Sequence, residues 1–389
     1  MLKHIEIKGY RSLKDISLNM EPLNVLIGPN GGGKSNFLEF FSFLSEAAKG
    51  TLAEGIARRG GLDTLCFRGG EKRLFFRLDF EPKGVFEQEH SDVSYKLLIR
   101  SEVGFPVVRY EQVSKGDADH TLVLVHRHEK QAGAMFRNIV SGQKEEIKEL
   151  EADSELAISQ VKDRTSYPTP HKILGVLSEW VLYPPIDVGP DAEIRRPQTL
   201  RAGTRRFPTC SNLVPVLYSV QNRSPATWEE MCEILRNVFE DFRYISFPPE
   251  GGDGKVILRW WEHPFEREYG FPAHLLSDGT LRFVALLALL KSPDPPPLIC
   301  IDEPEIGLHP ELVELVAELL QSAATRTQVI VATHSDELVS KLRPNEVVVV
   351  EKEDGETIME RLSEKELAVW LDKFRLGDLW KSGHIGGRP

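Results

Sequence analysis

The octapeptide GPNGGGKS, Gly28 to Ser35, has the spacing G-x-x-x-x-G-K-[ST]. Glycines at such positions let the backbone turn so that successive N–H groups face phosphate oxygens. Lys34 then reaches the β and γ phosphates of a nucleotide, and the Ser35 hydroxyl can ligate Mg²⁺. Nucleotide contacts are expected from Asn30, Gly31, Gly32, Gly33, Lys34, Ser35 and Asn36. A Gly-rich turn alone would also fit so short a pattern. Here the apolar run LNVLI precedes it, and SNFLEFFSFLSEAAK follows with Phe37, Phe40, Phe41, Leu44 and Ala48 near helical spacing. Strand, loop and helix are the context a phosphate loop requires.

A second stretch, PPLICIDEPEIGLHP, holds the apolar run Leu298 to Ile301 and ends it in Asp302 and Glu303. Adjacent carboxylates are costly to bury at a strand end unless a cation or a reacting water uses them. Beside a phosphate loop, Asp302 is expected to complete the Mg²⁺ sphere and Glu303 to orient or deprotonate the attacking water. The next apolar run, QVIVATHS, leads into His334 after the helix PELVELVAELLQSA, whose buried face is Leu312, Leu315, Val316, Leu319 and Leu320. Parallel strands joined through a helix end on the same edge, so His334 is expected beside Glu303, near the γ phosphate.

A third stretch, HLLSDGTLRFVALLALL, sets Ser277 to Thr280 directly before an almost wholly apolar helix. A helix start exposes unpaired N–H groups and the positive end of the dipole, so small residues there admit an anion. An N-cap by Ser277 or Asp278 would use the same residues. The stretch by itself is compatible with both.

These residues need a scaffold, and composition bounds it. The chain has 389 residues, 41% hydrophobic and 28% charged, enough for a large core in two or three domains. Cys66, Cys210, Cys232 and Cys300 are scattered without metal-type spacing, which points to a reducing, cytoplasmic setting. No apolar stretch reaches the length of a membrane span, and MLKHIEIKGY alternates like a strand rather than reading as a signal peptide. A net charge of −11 argues against coating by nucleic acid overall, though not against a local basic patch.

Along the chain, LKHIEIKG, LKDISLN and LNVLIG read as opening strands. From about 72 to 140, KRLFFRLDF, SYKLLIRSE, FPVVRYEQV, TLVLVHRHE and AMFRNIV alternate with period two, predicting an antiparallel meander. Residues 143–163 read as a charged helix, HKILGVLSEWVL as one helix, SNLVPVLYSV and TWEEMCEILRNVFEDF as helices, and KVILRWW as a strand. Trp260 and Trp261 suit sheet packing better than a ligand platform. From 275 to 350 helix and strand alternate, the pattern of a parallel α/β sheet.

Taken together, the ordered motifs resemble the ATPases of the ABC superfamily: Walker A in GPNGGGKS, signature in LSDGT, Walker B in LICIDEP, D-loop in EIGLHP and switch histidine in ATHS. Within it the chain is similar to the stand-alone predicted ATPases grouped with the SMC, RecF and OLD proteins, through IEIKGYRSLKDISL, LSDGTLR and LGDLWKSGHIGG. The resemblance implies an α/β, P-loop NTPase fold with an ABC-type ATPase head, a mixed sheet flanked by helices. The expected units are an N-terminal lobe with Walker A over 1–74, an inserted β-meander and helical region over 75–270, and a C-terminal lobe with the other motifs over 271–389. It also implies ATP and Mg²⁺ as cofactors and a homodimer in which Ser277 and Gly279 of one chain serve the nucleotide held by the other. LSDG replaces the transporter-like LSGG, and no glutamine stands out as a Q-loop residue. The run EVVVVEKEDG resembles the entrance to the OLD nuclease domain, but too few residues follow Glu351 for one, so no built-in nuclease is expected.

The function these features imply is an ATP-hydrolysing switch in DNA repair or anti-phage defence. A regulatory ATP-binding subunit for a separately encoded effector is an alternative, and a transporter subunit fits the long middle region less well. RRPQTLRAGTRR places Arg195, Arg196, Arg201, Arg205 and Arg206 together with no acid among them. Such a loop suits either a DNA phosphate backbone or an intramolecular acidic partner.

Overall fold

A computed structural model describes residues 1–116, 121–128, 133–147, 152–160, 162–200, 210–250, 254–263 and 270–387. Three strands open the chain, β1 (Leu2–Tyr10), β2 (Leu13–Asn19) and β3 (Leu23–Ile27), and a loop leads from β3 into α1 (Lys34–Ala48). The alternating runs then form β4 (Arg73–Phe80), β5 (Val93–Glu102), β6 (Phe105–Gly116), β7 (Thr121–Arg127), β8 (Ala134–Arg137) and β9 (Lys144–Ile147). These pair antiparallel in the order β2-β1-β4-β5-β6-β7-β8-β9. The predicted meander is therefore continuous with the first two strands, β4 lying directly against β1.

The second layer is built from separate parts of the chain: β3, β10 (Val181–Tyr183), β11 (Leu298–Asp302), β12 (Gln328–Ala332), β13 (Val347–Glu353) and β14 (Glu356–Arg361). Its order is β10-β11-β12-β3-β13-β14, parallel except for the antiparallel edge strand β14. Side chains alternate between two cores. Leu26, Cys300, Ile330 and Val348 point into one, with α1, the eight-stranded sheet and α2 (Pro168–Ser178). Val25, Ile299, Val331 and Val349 point into the other, with α3 (Leu213–Arg223), α4 (Pro225–Val238), α5 (Asp278–Leu290) and α6 (Pro310–Ala324). A sheet covered on both faces is apolar at every position, which is why these strands read as unbroken apolar runs.

That burial also explains the helices. Phe37, Phe40, Phe41 and Phe43 of α1 are fully buried, with Phe40 stacked edge-on to Phe76 of β4 at 4.8 Å. From Phe283 to Leu290 every residue of α5 is buried. Trp260, against Phe242 and Phe239, packs in the same core as expected, while Trp261 stacks on Tyr244.

Three local expectations are corrected. Residues 143–163 are not one helix: Lys144–Ile147 pairs with β8, and only Ala157–Gln160 is helical among the described residues there. HKILGVLSEWVL is helical only to Ser178, because Val181–Tyr183 docks in parallel on Ile299–Ile301. KVILRWW divides into Lys255–Val256 and Arg259–Glu262, which pair with different strands.

Candidate functional site

Three strands of the second layer end in register, with Asp302 opposite Ala332 and Ala332 opposite Leu26. Just beyond that row lie Glu303, His334 and Gly28. The crevice past the carboxyl ends of parallel strands is where open α/β sheets bind ligands.

The loop from Gly28 to Ser35 is shaped by what backs it. Gly28 has φ 148°, and a Cβ there would lie 2.0 Å from the Val350 carbonyl oxygen of β13. Gly33 has φ 118°, and its Cβ would lie 2.1 Å from Thr357 Oγ1 of β14. Thr357 Oγ1 in turn donates to Gly32 O and contacts Ser12 Oγ, each at 2.8 Å. The C-terminal stretch LGDLWKSGHIGG reaches the same place: Gly387 N–H donates to Glu351 Oε1 at 2.6 Å, and Trp380 Nε1 donates to Gly387 O.

Lys34 is buried at 6% exposure, and its ammonium donates to Gly28 O at 2.7 Å and Pro29 O at 3.1 Å. Burial lowers its pKa, against the raising influence of Asp302, Glu303 and Glu305. Asn30, Gly31 and Ser35 are exposed at the loop's surface, while Gly32 and Gly33 are buried under it. The Asn36 side chain turns away, donating to Ser12 Oγ at 2.7 Å and accepting from Arg11 at 3.2 Å.

Facing Lys34 are three carboxylates. Burial, then the neighbouring Glu303, raises the pKa of Asp302, and Lys34 opposes this. Glu303 adopts φ 49°, a left-handed conformation costing a non-glycine residue about 1–2 kcal/mol, and its N–H donates to Ala332 O at 2.9 Å. Its Oε1 lies 3.8 Å from His334 Nε2, beyond a direct hydrogen bond and close enough for one oxygen atom to contact both. Burial and then Lys34 lower the His334 pKa, with Glu303 opposing, so the imidazole is neutral at pH 7.

Sequence reasoning did not single out Glu305. Its Oε1 accepts the His334 N–H at 2.7 Å, tying the turn after β11 to the second residue past β12. Burial raises its pKa against the lowering effect of the His334 N–H. The available signal was a third acid, one proline past the pair, in DEPE. Asn30, Glu303, Glu305, Leu308, His334 and Ser335 line a cleft of about 460 Å³.

The mouth of α5 lies at the surface. Ser277 is exposed and caps the helix, its Oγ accepting from Thr280 N–H at 3.1 Å, so the N-cap is real. Gly279 is narrow for a reason: a Cβ would meet Gly307 O at 3.0 Å. Arg282, one turn on, donates to Ile186 O at 3.3 Å and Ile306 O at 3.4 Å.

The arginine loop is corrected at its first residue. Arg195 is buried and committed to five acceptors within the chain, among them Asp278 at 2.5 Å, so it is not available to DNA phosphates. Arg196 is exposed and pairs with Asp191 at 3.0 Å. Arg201, Arg205 and Arg206 lie outside the described residues.

The family described as "AAA domain, putative AbiEii toxin, Type IV TA system" matches residues 23–340, from the first residue of β3 to beyond His334. The chain belongs to this family. Within it, this AAA-domain protein is an ABC-type ATPase of the SMC, RecF and OLD group. It is 28% identical over 102 residues to the DNA replication and repair protein RecF of Lactococcus lactis subsp. cremoris (strain SK11), covering 26% of this chain and 24% of that one. It is 47% identical over 38 residues to the OLD nuclease of Thermus scotoductus, covering 10% and 7%. It is 28% identical over 125 residues to the chromosome partition protein Smc of Methanocaldococcus jannaschii, covering 29% and 11%. These matches span a quarter or less of each relative's length.

Among solved structures, an Smc head bound to the C-terminal winged-helix domain of ScpA aligns with a TM-score of 0.59 at 16% identity, covering 94% of this chain and 99% of that one. An Smc head with an extended coiled coil, bound to the C-terminal domain of ScpA from Pyrococcus furiosus, aligns at 0.57 and 14%, covering 96% and 98%. The AAA-domain protein thus has the fold of an Smc head. Among its described residues no helix is long and apolar enough to cross a membrane.

Proposed function

We propose that this protein is an ATP-hydrolysing switch that closes as a nucleotide-sandwiched homodimer and acts in DNA repair or anti-phage defence. One observation carries the reading: Glu303 and His334 line one cleft at neighbouring strand ends, Lys34 and Asp302 lie within electrostatic reach of them, and the mouth of α5 stands exposed. Asn30 to Gly33 offer backbone to the phosphates, and Lys34 leaves its own carbonyls for their charge. The residues present suit Mg²⁺, because Asp302 is a half-buried carboxylate with Lys34 as its nearby cation. Mg²⁺ bound with a nucleotide takes one or two side chains and completes its sphere with phosphates and water. Ser35 and Asp302 would hold it, and when bound it neutralises charge building on the phosphates. Glu303 takes the proton of the attacking water, neutral His334 donates to the γ phosphate, and Ser277 and Gly279 of the second chain cover it.

The likeness to RecF supports a role on DNA, with Arg196, Arg201, Arg205 and Arg206 as candidate phosphate contacts. Loss of low-salt DNA binding when these four become Ala is the expected result.

Glu303→Gln tests the switch. It keeps the shape of the site while removing the base, so Mg-ATP binds and turns over about 10²–10⁴-fold more slowly. A ligand that binds the dimer alone stabilises it by mass action, so light scattering should show dimer with Mg-ATP and much less with ADP. A variant that stays monomeric at high concentration with Mg-ATP overturns the sandwich. Absence of multiple-turnover phosphate release from the unaltered protein would favour a regulatory ATP-binding subunit.

A further inference from the structure

We infer that Arg195 is a positioning residue for the signature mouth, setting the approach of Ser277 and Gly279 to the nucleotide of the partner chain. The inference rests on the sandwich reading above.

Residues Ala273–Leu275 form a single tight turn, and the carbonyl oxygens of Ala273, His274 and Leu276 converge on one point. Oxygens gathered this way repel one another unless a donor fills their centre. Arg195 Nη1 fills it, at 3.2, 3.4 and 2.8 Å respectively. The same guanidinium is held from behind by Val188 O, 2.7 Å from Nε, and at its outer edge by Asp278 Oδ1, 2.5 Å from Nη2. Arg195 is 7% exposed, so the fork is rigid.

A planar guanidinium with donors in fixed directions can bridge such a set, whereas a lysine ammonium on a flexible stem cannot reproduce it. The first residue of α5 is thereby locked to the turn before it, and Ser277 sits between the two anchored points, Leu276 O and Asp278. This accounts for Asp278 at the third place of LSDG: a glycine there would leave Nη2 without its carboxylate. Arg195 itself is withdrawn from the surface, so it acts through Ser277 and Gly279 and touches no ligand. Arg282 anchors the other side of the same mouth to Ile186 and Ile306.

A displacement of about 1 Å at a reacting group costs about a hundredfold in rate. Arg195→Lys and Asp278→Asn should therefore each lower kcat by about tenfold to a hundredfold at saturating ATP. Calorimetric affinity for Mg-ATP should stay within about twofold, because each chain's own phosphate loop is intact. Asp278 is exposed, so its variant carries the test if Arg195→Lys fails to fold by circular dichroism.

Mixing chains gives a readout that general loosening would not. Arg195→Lys chains mixed with Lys34→Ala chains should regain turnover, since the pair contains one site with an intact loop and an intact mouth. Arg195→Lys mixed with Ser277→Arg should not. Unaltered kcat in Arg195→Lys and Asp278→Asn overturns the inference while leaving the sandwich standing, provided Ser277→Arg and Lys34→Ala chains complement each other. If that last pair fails to complement, the sandwich reading falls, and the inference falls with it.

Discussion

Glu303 and His334 stand 3.8 Å apart on neighbouring parallel strands, each just past the strand end and each bound by its main chain to the other's element. Glu303 N–H holds Ala332 O, and Glu305 holds His334 N–H. The pair is therefore set by two backbone anchors as well as by its side chains, and a strained φ at Glu303 persists because the anchors over-determine it.

The first prediction follows from the imidazole. Native His334 has a lowered pKa, while in the unfolded chain it takes up a proton below about 6.5. Its neutral form is thus compatible with full stability above that value, and stability is lost as pH falls below it. His334→Gln should show a smaller drop in urea midpoint between pH 7.5 and 5.5 than the unaltered protein, together with slower turnover at pH 7.5. Equal drops would mean that His334 is protonated as readily in the native state as in the unfolded chain.

Lys34→Met removes the ammonium and keeps the stem. Hydrogen bonds to charged groups contribute about 1.5–3 kcal/mol each, so Mg-ATP affinity measured by calorimetry should fall by about one to two decades. The melting temperature of the nucleotide-free protein should change little, since a buried ammonium is costly to hold.

Three glycines of one loop should respond differently. Gly28→Ala and Gly33→Ala each drive a Cβ into atoms at 2.0–2.1 Å in a left-handed backbone, and each should cost about 2–4 kcal/mol in urea unfolding. Gly31 has φ 77° but open space around it, so Gly31→Ala should cost only about 1–2 kcal/mol. Equal losses at all three would contradict the packing of the loop on Val350 and Thr357.

Glu305→Gln keeps an oxygen for the His334 N–H and removes a buried charge. The native pKa of Glu305 is raised, so ionisation disfavours the folded state as pH rises above the unfolded value of about 4.3. The variant should melt higher than the unaltered protein at pH 7.5, by roughly 2–4 °C per kcal/mol gained, with the difference shrinking toward pH 4.5. A variant that melts lower at pH 7.5 would show that the charge is compensated.

Which of these features a reader of the chain can find depends on how far apart their partners lie. The phosphate loop is legible because its glycines answer to local φ values, and the strands β3, β11 and β12 are legible because a sheet buried on both faces is apolar at every position. Their adjacency follows from the intervening helix, which is how Glu303 and His334 could be brought together on paper. Residues 143–163 misled because a charged surface stretch satisfies the helical pattern without being obliged to form a helix, and a strand edge at β8 was available to Lys144–Ile147. Arg195 is the deepest case. Its composition-level setting, a run of arginines with no acid among them, reads as a surface for phosphates. Four of its five acceptors lie 78 to 83 residues further along the chain, so only tertiary packing, by closing the turn before α5 over it, decided that it would be buried. Periodicity and motif spacing record what a residue's neighbours in sequence demand of it; the partner that neutralises a buried charge is chosen by the fold, because the cost of burying that charge is met by whatever oxygens the packed chain brings within reach.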